Sequence, residues 1–421
     1  MIKALKPPRD IALLLGLSVI TLFLSGCVST TGGYSESKKA YPVGPRSISE
    51  KQETSDEFKK RKRTELSILV LPLDPSIPED SDNFAKKNIW PELRRAEANH
   101  FAVKLREALT KTEAFSTARV VPDKNVTGDL YMSGKIVKSN GEDVEISVSV
   151  MAINGETFLR NKIYNYRVKE YELDNPRNDA NYDIYDPVFE KIAEDVAKIF
   201  RKLTDDDVAT LRLIEKIRFA ESFSPEYFSP YLETSRRGIT RLTAAPADQD
   251  MMFLRSQELR IRDLLFVDNL QQDYDNFSRQ MWDGYSLWQR ESYFESNAGR
   301  KTRLKGIGKK ILGAAALAGG IALVATSDPF SGGGQALGGS LIAAAGVASI
   351  GSGMSDSADA KMHRASMNEL GRSLNIQLAP RVINFENQTI KLKGDAAQQY
   401  ETWRLFLKDL YQLDKTPNIS L

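Results

Sequence analysis

Two Asn-Gly pairs, Asn140-Gly141 and Asn154-Gly155, limit the folds open to this chain more than any other feature. Asn-Gly adopts the positive backbone angles of a tight hairpin turn with little strain. Between the pairs, Val144, Ile146, Val148 and Val150 alternate with other residues, the period of a strand with one buried face. Asp129 to Val137 before the first pair and Phe158 to Val168 after the second are then the outer strands of a three-stranded antiparallel meander. A slip of one residue would turn every buried side chain outward, so the pattern also specifies the register.

The flanks extend this unit. Leu66 to Leu73 is a nearly continuous apolar run, as in a buried strand. Trp90 to Thr110 carries Leu93, Ala96, Phe101, Leu105 and Ala108 near one helical face, with Pro91 suited to a helix start. Ala118 to Val121 is a short strand, and Val188, Ile192, Val196, Ile199 and Phe200 make Pro187 to Leu203 an amphipathic helix. Residues 65–203 are expected to form one small α/β domain. Its element order resembles the domain shared by the TolB N-terminal domain, curli-type secretion lipoproteins such as CsgG, and the penicillin-binding-protein activator LpoB. The Leu66–Leu73 strand and the Asp129-Leu130-Tyr131-Met132-Ser133-Gly134 strand opening carry that resemblance. It implies a domain that binds proteins or assembles into rings, without catalysis of its own.

The chain has a single cysteine, Cys27, so no intramolecular disulfide can form. Lys3, Lys6 and Arg9 precede the apolar run Ile11 to Leu24, which is too short to span a bilayer comfortably. The run leads into Leu24-Ser25-Gly26-Cys27, which resembles the lipobox of bacterial lipoproteins. That resemblance implies a signal peptide over 1–26, cut before Cys27, and a thiol that takes the lipid. The alternatives are an ordinary signal peptide with a chance cysteine, or an uncleaved anchor helix. Two or three acyl chains make a stable anchor where one is marginal. Val28 after the cysteine, in place of Asp, implies sorting to the outer membrane with the body facing the periplasm. Residues 27–64, rich in Ser, Thr, Gly, Lys and Glu, are expected to be a flexible tether. Its run Lys59 to Arg63 is either a solvated linker or a contact for anionic lipid.

Residues 204–305 read as helical. Thr204 suits the N-cap of a helix from Asp205 to Phe223. Ser224-Pro225 and Ser229-Pro230 then break the pattern around Tyr227, Phe228 and Tyr231. From Asp248 to Asn297 no proline intervenes, and Leu264, Val267, Tyr274, Phe277, Met281, Tyr285 and Trp288 recur at three- and four-residue steps. Such a stripe packs inside the protein or seats a partner helix, and a break could fall near Asn269 or Gly284.

Residues 306–355 are apolar and rich in glycine. From Ile311 to Met354 the only charged residue is Asp328. At helical rise, each arm on either side of the Asp328–Gly334 turn would span about 25–30 Å. Small residues recur every fourth position: Ala314, Ala318 and Ala322 in the first arm, Ser340, Ala344, Ala348 and Ser352 in the second. Gly338, Gly346 and Gly351 add flat surface, and such stripes let helix backbones approach closely in lipid. Arg300, Lys301, Arg303, Lys305, Lys309 and Lys310 precede the arms and could hold anionic headgroups. The region resembles the glycine-zipper hairpin of outer-membrane lipoproteins such as SlyB. A hairpin in membrane, a buried interface in an oligomer, and a flexible segment are the three options.

In residues 356–421, Asp356 to Leu374 is expected to be helical. Val382 to Leu392 reads as a hairpin, with Ile383 and Phe385 opposed to Ile390 and Leu392 across Asn387-Gln388. A last helix, Ala396 to Leu413, would bury Tyr400, Trp403, Leu407, Leu410 and Tyr411. The whole is an α+β chain: a small α/β domain with an antiparallel meander, a mainly helical body with an apolar helical hairpin, and a C-terminal β-hairpin plus helix.

Chemistry is sparse. His100 and His363 lie far apart with no HExxH frame, and His100 reads as a surface or packing residue. With Cys27 carrying lipid, a thiolate metal site or cysteine nucleophile is excluded. There is no P-loop, no GxGxxG after a strand and no GxSxG, so no catalytic, cofactor or metal residues are singled out, and an acid/base pair among the many carboxylates stays open. A formal net charge of +2 argues against nucleic acid as a partner. The expected partners are membrane lipid, through acylated Cys27 and the apolar hairpin, and further copies or other envelope proteins. The sequence points to a non-catalytic structural or assembly component of an outer-membrane complex. A subunit of an oligomeric export channel and an enzyme acting on peptidoglycan or glycan are the alternatives.

Overall fold

The computed structural model describes residues 63–79, 84, 89–173, 182–318, 358–385 and 388–415. The chain is α+β. Strand β1 (Ser67–Val70) pairs in parallel with β2 (Thr117–Val120) on one side and with β3 (Leu130–Ser139) on the other. β4 (Asp143–Ala152) and β5 (Thr157–Arg167) continue the sheet antiparallel, giving the order β2-β1-β3-β4-β5. Ile68, Leu69 and Val70 are all buried, which is why β1 reads as an unbroken apolar run: a strand covered on both faces needs no polar side.

The meander has the turns its sequence predicts. Gly141 and Gly155 take φ of 80° and 87°. The Asn140 side chain accepts from the backbone N–H of Glu142 and Asp143, and Asn154 does the same for Glu156. Ile146 faces Ile136, Val148 faces Gly134 and Val150 faces Met132, with a register shift between Ile136 and Lys138. All four alternating residues of β4 are fully buried, and truncating a large core side chain of this kind to Ala costs about 2–5 kcal/mol.

Helix α1 (Pro91–Lys111) joins β1 to β2. After the short α2 (Glu170–Leu173), α3 (Asp186–Phe200) packs beside α1, with the Phe101 ring edge-on to Phe189 at 5.0 Å. α4 (Asp205–Glu221) starts where expected: Thr204 accepts from the Asp207 N–H while the Asp207 carboxylate accepts from the Thr204 N–H, a closed capping box. The Ser-Pro breaks become α5 (Pro225–Phe228) and a 3-10 turn (Ser229–Tyr231). A small hairpin absent from the sequence expectation follows, β6 (Leu232–Thr234) with β7 (Thr240–Leu242). It leans on the meander tip through the Thr240 N–H, which donates to Asn154 O at 2.8 Å.

Helix α6 (Met251–Ala318) is 68 residues long, about 100 Å at helical rise. It passes unbroken through Asn269 and Gly284, the two candidate break points, and continues beyond residue 305. Its expected stripe packs inside the protein: Val267, Tyr274, Phe277, Met281, Tyr285 and Trp288 are all buried. α7 (Ala358–Leu370) packs on α6 and α1.

The C-terminal hairpin of β8 (Arg381–Phe385) and β9 (Gln388–Leu392) forms, but its register corrects the expectation. Ile383 faces Ile390, whereas Phe385 faces Gln388 and Arg381 faces Leu392. The two-residue connection is therefore one position earlier than Asn387-Gln388. α8 (Ala396–Lys415) buries Tyr400, Trp403, Leu407, Leu410 and Tyr411 as expected, stacking Trp403 on Phe266 of α6 at 5.3 Å. One apolar core runs continuously from Leu66 to Tyr411 and draws on every layer. A second, small cluster of Ile217, Ala220 and Phe228 lies at α4, α5 and the β6–β7 hairpin.

Candidate functional site

Several of the polar groups buried in this core gather along a seam where α6 meets the α/β unit. Its centre is His100 of α1, which is nearly fully buried. Its Nε2 lies 2.9 Å from Asp183 Oδ2 and its Nδ1 lies 2.8 Å from the Ser278 hydroxyl of α6. Gln289, three turns further along α6, donates to the other Asp183 oxygen at 2.7 Å. Of the two sequence options for His100, the fold thus selects the packing role.

Asp183 is completely buried. Burial pushes its pKa up, but the hydrogen bond and charge of His100, the Lys104 ammonium and Gln289 outweigh that, so it sits below the usual carboxylate range. Neighbouring Asp186 moves the other way, pushed up to about 6 by burial and by the Asp183 charge, against the pull of Lys104 at 2.8 Å. With a neutral ring, Nε2–H donates to the Asp183 carboxylate, which leaves Nδ1 to accept from the Ser278 hydroxyl.

One turn of α1 earlier, Glu97 is fully buried and accepts from the Ser139 hydroxyl at 2.5 Å and the Tyr285 hydroxyl at 3.0 Å. Burial raises its pKa while Arg94 opposes the rise. The Arg94 guanidinium also donates to the Ser139 carbonyl at 3.1 Å, and the Tyr185 hydroxyl accepts from the Gly141 N–H at 2.7 Å. The first Asn-Gly turn is therefore tied into the seam. Gly141 is required there twice over: by its positive φ, and because a Cβ would fall 2.5 Å from the Tyr293 backbone N of α6.

A second group lies nearer the start of α6. Glu215 of α4 is buried against Arg260 at 2.7 Å. Burial lifts its pKa to about 7, with Arg260 pulling down and Asp129 pushing up. Asp129 accepts from both the N–H and the hydroxyl of Ser67 at 2.7 and 2.8 Å, and burial raises it too. Asp263 accepts from Tyr400 of α8 at 3.1 Å.

An Asp–His–Ser line invites a catalytic reading, and the surrounding geometry supplies little for it. Ser278 sits in mid-helix, where backbone N–H groups are spent on the helix itself and leave no donor pair for a developing oxyanion. What the arrangement does is join three separate segments through charged and neutral hydrogen bonds in a low-dielectric interior, where leaving any one unpaired is costly.

The residues singled out in the sequence fall mostly elsewhere. Leu24, Ser25, Gly26 and Cys27 lie outside the described residues, as do Ala322, Gly338, Ser340, Ala344, Gly346, Ala348, Gly351 and Ser352. Ala314 and Ala318 end α6, and Arg300, Lys301, Arg303, Lys305, Lys309 and Lys310 lie along its last stretch. The Arg300 guanidinium is committed to the protein itself, donating to the buried Glu142 carboxylate at 2.7 Å. Lys301 is exposed. Among the described residues no helix is long and apolar enough to cross a membrane, and no acid, histidine and cysteine cluster could hold a metal ion.

No protein-family model matches the chain, and neither a curated protein nor a solved structure resembles it significantly.

Proposed function

We propose that this chain is a non-catalytic, lipid-anchored envelope protein, held to the outer membrane through acylated Cys27 and working as a structural or assembly component of a membrane complex. The observation that carries the proposal is the way α6 is fixed. Arg260 bonds α4, Asp263 bonds α8, Gln271 bonds β2, Ser278 and Tyr285 bond α1, Gln289 bonds Asp183, and Ser296 and Arg300 bond the first Asn-Gly turn. They spread over about 60 Å of helix. The helix is a rigid bar whose far end carries the basic cluster and leads toward the glycine-rich stretch.

Buried polar contacts between separate elements, such as His100 with Asp183 and Ser278, fix those elements against one another, which supports a structural role. The lipobox supports the anchor, and the basic cluster supports an orientation toward anionic headgroups, each cation contributing about 1 kcal/mol near such a surface.

The test is metabolic labelling with a palmitate analogue, followed by membrane fractionation. Wild-type protein should incorporate label and fractionate with outer membranes, and Cys27→Ala should lose the label. An unlabelled wild type removes the anchor. Size measurement of the detergent-extracted protein tests assembly; a strict monomer with no bound envelope protein removes that part.

A further inference from the structure

Between α6 and the chain leading from α7 to β8 lies a cleft of about 820 Å³, within the size range of small-ligand sites, about 300–1,000 Å³. One wall is helical: Asn276 and Gln280 of α6 stand one turn apart, both exposed. The opposite wall is the connection carrying Arg372, Ser373 and Gln377, with Glu369 at its margin. The floor is apolar, formed by Phe277, Ile376 and Leu378.

The second wall is a loop, yet it is fixed from behind. Asn99 of α1 donates to the Leu374 carbonyl at 2.6 Å, Arg95 donates to the Gly371 carbonyl, and Trp90 donates to Asn368 at 3.0 Å. Gly371 lies so close to α1 that a Cβ there would sit 1.9 Å from the Glu92 carbonyl oxygen. The Gly371 and Leu374 carbonyls are thus spent toward α1, and on the cleft side Gln377 donates to the Ser373 hydroxyl at 3.1 Å, which in turn donates to the Asn375 carbonyl, so these side chains are held in place before a ligand arrives. A concave site with its polar groups held in advance loses little entropy on binding.

We propose that this cleft binds an uncharged oligosaccharide. Amide, hydroxyl, carboxylate and guanidinium groups on both walls match the adjacent donor–acceptor hydroxyls of a sugar ring, and the apolar floor suits the ring's C–H face. The charges offset: Arg372 by Glu369, and Asp273 by its ion pair with Arg381. No surplus of cations is left to favour a phosphate. An extended peptide would need a free backbone edge to pair with. One wall is a helix with its bonds closed, and the other has the Gly371 and Leu374 carbonyls occupied. This proposal does not depend on how the protein is anchored.

The test is calorimetric titration of the full-length protein in detergent with chitotetraose and, separately, maltotetraose. At least one should bind saturably with a dissociation constant of about 1 mM or tighter. Gln280→Ala and Gln377→Ala should each weaken that binding at least about tenfold without moving the melting temperature. Gln272→Ala, on the same helix outside the cleft, should leave it unchanged. Two results would overturn the proposal: no saturable binding of either saccharide, or binding that both cleft variants leave intact.

Discussion

Gln271 of α6 meets edge strand β2 as a neighbouring strand would. Its side-chain oxygen accepts from the Val120 N–H at 2.9 Å and its side-chain nitrogen donates to the Val120 carbonyl at 2.9 Å. One turn earlier, Asp268 takes both arms of Arg119 from the same strand. An open strand edge is a template for pairing with another chain. Gln271→Leu keeps the bulk and removes both bonds, leaving Val120 unsatisfied. The expected cost is about 2–3 kcal/mol, read as a lower urea midpoint at unchanged slope, together with faster growth of light scattering. An unchanged midpoint would show that the amide clasp contributes nothing.

Glu215 should make the protein more stable in mild acid. Its folded-state pKa, about 7, lies above the unfolded value near 4.5, so the proton is bound more tightly in the fold. Stability from this group is complete below the unfolded value and is lost as pH rises through 7. Asp129, raised by burial in the same region, has the same sign. Between about pH 5 and 8 the wild-type melting temperature should fall, by an amount on the order of 2–3 kcal/mol in stability. Glu215→Gln should flatten that slope. A variant as steep as the wild type would place the titration elsewhere.

Asp183 has the opposite sign. Its folded pKa is depressed, so its contribution is present above the unfolded value of 3.8 and disappears as pH falls through the lower folded one. Asp183→Asn should cost about 1–3 kcal/mol at neutral pH, the range for leaving buried hydrogen-bond partners unpaired. It should also speed amide hydrogen exchange in α6 around Met281 to Tyr293. Exchange confined to α1 would mean that the His100–Asp183 contact does not hold α6.

Gly141 and Gly238 give a paired test of close approach. Both have φ near 80°, but a Cβ at Gly238 meets nothing within 4 Å whereas at Gly141 it meets α6 backbone. Gly238→Ala should cost only the left-handed conformation, about 1 kcal/mol. Gly141→Ala should cost at least about 3 kcal/mol. Equal losses, measured by chemical denaturation, would mean that α6 yields at the turn.

What could be read from the sequence was local. The two Asn-Gly turns, the alternation through β4 and the Thr204 cap each depend on residues within a few positions of one another, and all three formed as expected. The β6–β7 hairpin is not legible in the sequence because Leu232-Glu233-Thr234 and Thr240-Arg241-Leu242 are too short for alternation to emerge; Gly238 is its one signal. The register of β8–β9 slipped because its connecting residues carry no Asn-Gly. The buried seam is nonlocal. Nothing near His100 in the sequence shows that Asp183 and Ser278 will meet it. One hint was present: Asp263 and Gln289 fall among the apolar positions of the α6 stripe, where a polar side chain needs a buried partner.

The long reach of Gln271 also bears on how the chain must be made. Val120 leaves the ribosome 151 residues before the amide that will close its edge. At translation rates of 5–20 residues per second, that is a gap of about 8–30 s. Throughout it, β1 and β2 can pair with each other but present a raw margin to any passing strand. The outer edge of β2 therefore stays an open template for pairing with another chain until α6 reaches it.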